Sequence, residues 1–96
     1  MIKHVVMFKF RPEADSLECK EVLADLRKLP DKIDVIREFE VGEDLLRSPR
    51  SWDAVLVSTF DGLDTLQQYA RHDDHVEVAQ RIQGLVEKVA SVDYEF

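Results

Sequence analysis

Few side chains in this 96-residue chain can do chemistry near neutral pH: three histidines, two tyrosines and one cysteine. Histidine can take a proton from an acidic C–H, and a tyrosine hydroxyl can donate to the oxygen on which charge then builds. Tyr69 and His75 supply that pair of types, but an unbroken helix would separate them by about 9 Å of rise. They can meet only if the chain bends between them, in His72-Asp73-Asp74-His75. His4 is the third candidate. It shares an alternating face with Val6, Phe8 and Phe10, where a polar side chain needs a partner or a cavity.

Other chemistries are poorly supplied. His72-x-x-His75, flanked by Asp73 and Asp74, offers metal-ligand types, but no second ligand pair lies close in sequence, so no metal site is expected. Cys19 falls on the apolar stripe of a helix with nothing nearby to lower its pKa, which describes an inert buried thiol. Gly42, Gly62 and Gly84 are isolated, so there is no phosphate-cradling loop, and no cofactor is expected.

The elements that must position these residues follow from periodicity. Ile2 to Phe10 alternates as a strand. Asp15 and Glu18 form a capping-box pattern ahead of a helix carrying Cys19, Val22, Leu23, Leu26 and Leu29, which Pro30 stops. Val35 to Val41 reads as a second strand ended by Gly42, and Ala54 to Phe60 as a third. Glu43 to Trp52 between them is the longest loop. Asp64 is placed to cap a helix running towards His72, with a further helical stretch from about Val76 to Ala90 and a last strand from Val92 to Phe96. The order β-α-β-β-α-β predicts one α+β, ferredoxin-like domain over residues 1–96, with a four-stranded antiparallel sheet and its second helix broken near residues 72–75.

In such a fold the helices cover one face of the sheet. Here Val5 and Met7 of strand one, with Val55 and Val57 of strand three, make the opposite face apolar too. A soluble monomer would leave that patch in water, so these four residues are expected to form a homodimer interface through the sheet face. The formal charge of −7, with Arg47 and Arg50 as the nearest thing to a basic patch, argues against a nucleic-acid partner. The longest uncharged apolar stretch, Val5 to Phe8, is far short of the ~20 residues of a membrane helix, so no membrane partner is expected. The opening Met1-Ile2-Lys3-His4 does not read as a signal peptide, and a cytoplasmic setting is the expectation.

Five separated segments resemble one family. They are His4-Val5-Val6-Met7-Phe8-Lys9-Phe10, Phe39-Glu40-Val41-Gly42-Glu43-Asp44, Trp52-Asp53-Ala54-Val55-Leu56-Val57-Ser58, Tyr69-Ala70-Arg71-His72-Asp73-Asp74-His75 and Val92-Asp93-Tyr94-Glu95. In this order they resemble the stress-responsive dimeric α/β-barrel (Dabb) family, in which two ferredoxin-like protomers share one barrel. The family usually has proline where Asp73 stands, and a proline there would fix the helix break. The family holds proteins of unassigned role, stress-associated plant proteins and a polyketide-type cyclase, and its superfamily holds cofactor-free monooxygenases. The resemblance therefore implies a homodimer and, by motif, working positions at His4, Tyr69 and His75.

Three functions are consistent with these residues. One is binding of a small, largely apolar ligand in a pocket of His4, Val6, Phe8, Tyr69, His72 and His75. Another is cofactor-free cyclase, isomerase or monooxygenase chemistry, with His75 as base, Tyr69 as oxyanion donor and His4 assisting. The third is a non-enzymatic stress-associated role. Plainer readings stand beside each residue: His4 as a satisfied core histidine, Tyr69 as a core aromatic, His72 as a helix cap and His75 as a donor to a backbone carbonyl.

Overall fold

In the computed structural model, which describes all residues from Met1 to Phe96, the central strand is β1 (Ile2–Phe10). It lies antiparallel to β3 (Ala54–Phe60) on one side and to β4 (Val86–Glu95) on the other. β2 (Glu38–Glu43) pairs antiparallel with β3, which gives the order β2-β3-β1-β4. Helix α1 (Ser16–Arg27) and a 3₁₀ turn at Leu29–Asp31 connect β1 to β2, while α2 (Leu63–Arg71) and α3 (Asp73–Gln83) connect β3 to β4. This is the ferredoxin-like α+β sheet that the element order predicts.

The core forms where the inward parity of the sheet meets the helical stripes. Val6 and Phe8 of β1 and Ala54, Leu56 and Phe60 of β3 pack with Val22, Leu23 and Leu26 of α1 and Val78 and Ile82 of α3. Burying each such aliphatic or aromatic side chain contributes about 1.5–3 kcal/mol. α1 begins as its sequence dictates: Asp15 Oδ1 accepts from the backbone N–H groups of Leu17 and Glu18 at 2.8 and 3.1 Å. Cys19 is buried, and burial together with the nearby Asp15 carboxylate pushes its thiol pKa up, so it stays protonated.

Several element boundaries differ from the sequence reading. α1 stops at Arg27, and Leu29 and Pro30 belong to the 3₁₀ turn after it; α3 starts at Asp73, not near Val76, because His72 caps it. β2 starts at Glu38, because Val35 and Ile36 pack against the core from the preceding turn. It also runs through Gly42 to Glu43, since Gly42 keeps a negative φ and pairs with Val55 like any strand residue. The cap of α2 is Gly62, not Asp64; the Thr65 hydroxyl accepts from the Gly62 N–H at 3.2 Å and donates to its carbonyl at 3.0 Å. The largest difference is at the end of the chain. α3 stops at Gln83 before Gly84, and β4 takes Val86 onward, residues that the sequence reading gave to a helix. A β-bulge explains it: the register shifts at Lys9/Phe10, so that Val89 opposes Phe8 and Val86 opposes Phe10. Glu87 is the extra residue, and two inward valines three apart imitate a helical stripe.

Candidate functional site

The two helices after β3 are separate because one residue between them is extended. His72 has φ −63° and ψ 136°, closing α2 and opening α3. Its own side chain is the cap: the Asp74 N–H donates to His72 Nδ1 at 3.1 Å. Asp73 occupies the first position of α3, where proline is suited by its fixed φ and an acid by the helix dipole. The break therefore survives without proline.

This joint brings the two side chains together. The Tyr69 and His75 rings are 4.4 Å apart between centroids, and His4 approaches the other side of Tyr69 at 6.2 Å. Phe60, at 5.0 Å, and Phe39, at 6.1 Å, complete the aromatic cage around Tyr69. Tyr69 is only 1% exposed, yet its hydroxyl has no hydrogen-bond partner. Burial alone drives its pKa well above the ordinary value, so it is a neutral donor with nothing to donate to.

Both neighbouring histidines have Nδ1 engaged by a fixed acceptor. His75 Nδ1 lies 3.0 Å from the Ala70 carbonyl, which can only accept, so Nδ1 carries the proton and Nε2 is left as an acceptor. Burial pulls the His75 pKa below its usual value, outweighing the Ala70 bond, and the charges of His4 and His72 push the same way. The ring is therefore neutral at pH 7. His4 Nδ1 contacts the carboxylate of Asp93, its cross-strand neighbour on β4, so Nδ1 carries the proton of that bond.

The three rings sit at one end of a cavity of about 160 Å³ between the sheet and α2 and α3. Val6, Phe8 and Leu56 form its sheet wall, and Ala79 and Ile82 its helix wall. From His75 to Ile82 the slot follows α3 for about 10 Å. Val89 closes its edge while remaining 47% exposed, so the slot opens past β4. An apolar cavity near 150 Å³ holds a benzene-sized guest, which sets the scale for this one. Of the residues read as a pocket from sequence, His4, Val6, Phe8, Tyr69 and His75 line this cavity. His72 does not; it is spent on its cap. Asp93 escaped notice because its partnership with His4 depends on the β1–β4 register. A carboxylate at inward parity on a strand is the signal that could have found it. Arranged this way, the site can take a proton at a histidine nitrogen and donate a hydrogen bond from a desolvated phenol.

No group of three or more potential metal ligands occurs in the structure. No helix is long and apolar enough to cross a membrane. Val5 and Met7 stand opposite Val57 and Val55 on the helix-free face, with Met7 36% exposed.

The fold and the site define a small ferredoxin-like protein with a polar-headed apolar slot beside a broken helix. Residues 2–96 match the model of the stress responsive A/B barrel domain, and the chain belongs to this Dabb family. It is similar to the stress-response A/B barrel domain-containing protein HS1 of Arabidopsis thaliana, with 25% identity over 98% of this chain and 88% of that protein. It is also similar to olivetolic acid cyclase of Cannabis sativa, with 23% identity over 97% of this chain and 94% of the cyclase. Among solved structures, a dimeric protein of unknown function and ferredoxin-like fold from Bacteroides fragilis is 38% identical. That match has a TM-score of 0.84 and covers 99% of this chain and 95% of that one.

Proposed function

We propose that the protein is a homodimer in which each subunit binds a small, largely apolar ligand, its oxygen-bearing head against Tyr69, His75 and His4 and its tail along Phe8 and Ile82. The observation that carries this reading is the Tyr69 hydroxyl, buried and unpartnered on a side chain that lines the cavity. A buried donor left unpaired costs roughly 1–3 kcal/mol, and a ligand acceptor would recover it. The dimer is supported by the bare apolar face of Val5, Met7, Val55 and Val57 and by the dimeric relative from Bacteroides fragilis. Native mass spectrometry against hydrophobic acids and polyketide-like phenols tests the binding. One such ligand per subunit is expected, and Ile82→Trp, which fills the slot, should abolish it. Binding that survives this substitution would place the ligand elsewhere.

A second reading, catalysis, is favoured by the His75 tautomer. A neutral imidazole with a free Nε2 beside a phenol donor is the pairing needed to remove a proton next to a carbonyl and steady the resulting oxyanion. Olivetolic acid cyclase, by its name, closes a ring in an acid product, and chemistry of that class suits these groups. In this reading His75 is the base, Tyr69 the donor and His4 an assistant. With a substrate in hand, His75→Ala and Tyr69→Phe should each lower kcat by at least 100-fold, and unchanged turnover in either would remove that residue from the mechanism.

A further inference from the structure

The helix-free face of the sheet has a shape as well as a polarity. Its centre is Val5, Met7, Val55, Val57 and Val92, and its four corners differ. Glu38 and Glu40 hold one corner and Lys9 and Lys88 the diagonally opposite one. Of the other two, one is aromatic: Tyr94 and Phe96 are 47% and 59% exposed, with Lys3 Nζ 4.6 Å above the Phe96 ring. The last is hollow: Gly42 has no side chain, and an open groove of about 230 Å³ lies over it, walled by Met7, Val55 and Trp52 with Glu43 and Asp44 at its rim.

Resting on the homodimer proposed above, we infer that Tyr94 and Phe96 of each subunit seat in the hollow over Gly42 of its partner, and that this contact holds Asp93 against His4. Size gives the first reason. From strand spacing and rise the face measures about 14 by 20 Å, and even doubled for roughness it falls short of the roughly 800 Å² that a stable dimer buries per partner. The corners must take part.

Twist says which corners. β1 and β2 are parallel with β3 between them, and their connection through α1 is right-handed by the general rule. Seen from outside with the Lys3 end up, β4 is then on the left and β2 on the right. A strand-to-strand rotation of about −20 to −25° lifts the aromatic and hollow corners towards a facing sheet and drops the two charged corners away. Two such faces related by a two-fold axis close at the lifted corners, with strands crossing steeply as in orthogonal packings. Of the two diagonal axes, one sets aromatic on aromatic and hollow on hollow. The other seats each aromatic pair in a hollow, twice. It also places the Glu38/Glu40 and Lys9/Lys88 corners at the widest gaps. There Glu38 keeps its bond from the Thr59 hydroxyl and Lys9 its bond to the Ser51 carbonyl, and neither corner needs a partner across the interface.

The link to the site is one residue long. Asp93 precedes Tyr94 at the end of an edge strand, held on one side by β1 and beyond by the Phe96 N–H to Met1 carbonyl bond of 3.0 Å. Seating Tyr94 pins that end and keeps the Asp93 carboxylate on His4 Nδ1.

Sedimentation across a concentration series, with the His4 imidazole N–H followed by ¹H–¹⁵N NMR in the same samples, tests both parts. Gly42 has no positive φ, and a Cβ there would meet only Val55 Cγ1 at 3.7 Å, so Gly42→Arg should fold. It should weaken the dimer at least 10-fold and erase the His4 N–H resonance in the monomer, with the helical circular dichroism unchanged. The double variant Tyr94→Ser, Phe96→Ser should do the same and stands in if Gly42→Arg fails to fold. Dimers as tight as wild type, or monomers that keep the resonance, would overturn the inference. A wild-type chain that is monomeric at tens of micromolar would instead refute the homodimer reading itself.

Discussion

Replacing Tyr69 with phenylalanine removes a single oxygen from the least exposed polar side chain of the site. The ring contacts with Phe60, Phe39 and His75 do not depend on that atom and should persist. What disappears is the cost of a desolvated hydroxyl without a partner, roughly 1–3 kcal/mol, less the packing lost around a vacated oxygen. We expect a net gain in stability of about 1 kcal/mol, which for a domain of this size raises Tm by roughly 4–8 °C. Ligand binding should move the other way. Losing one hydrogen bond worth about 0.5–1.5 kcal/mol weakens affinity by roughly 2- to 12-fold. Urea or thermal unfolding of the ligand-free protein gives the first number and calorimetric titration the second. Opposite signs are the signature of a polar group kept for a ligand. A variant that loses stability by a kcal/mol or more, or binds as tightly as wild type, would refute the reasoning.

Other outcomes follow from neighbouring features. Because burial holds the His75 pKa below 6.5, the unfolded chain takes up a proton before the folded one as pH falls. Stability should therefore decline below pH 6.5, and His75→Gln should flatten that part of the unfolding-versus-pH curve; an identical slope would assign it to other groups. Asp15→Ala removes the acceptor for two N–H groups of α1 and should cost about 1 kcal/mol in urea unfolding. Asp93→Ala should leave the fold intact but release His4 Nδ1–H, seen by NMR as loss of a slowly exchanging imidazole proton. If that proton persists, Asp93 is not what holds it.

Much of this architecture could be read from residue order, and the failures have particular causes. β1 alternates and β3 is a short strand apolar on both sides, bounded by Asp53 and Asp61-Gly62, so their limits, Ile2 to Phe10 and Ala54 to Phe60, are the same in sequence and structure. The break between α2 and α3 was legible because Tyr69 and His75 could serve together only if it existed. β4 was not legible: a bulge shifts its parity, and Val86 and Val89 then obey the arithmetic of a helix. The same shift hid Asp93, since which strand residue faces His4 is a matter of register, and register belongs to the pair of strands, not to either one. His72 was ambiguous for a different reason. A histidine at a helix junction can cap either neighbour, and only the Asp74 N–H donating to its Nδ1 shows which one it serves.

The single extended residue between α2 and α3 also constrains how this chain can vary. Position 73 tolerates more than proline, as the aspartate in the first turn of α3 shows, and position 72 needs only a side chain that can accept from the Asp74 N–H. Adding or deleting one residue there is another matter. It would swing everything after the joint by about 100° and shift it by 1.5 Å along α3, carrying His75 from the face of Tyr69 out into solvent. At this joint length is the guarded quantity and composition the negotiable one, so drift should appear as substitution and almost never as a gap.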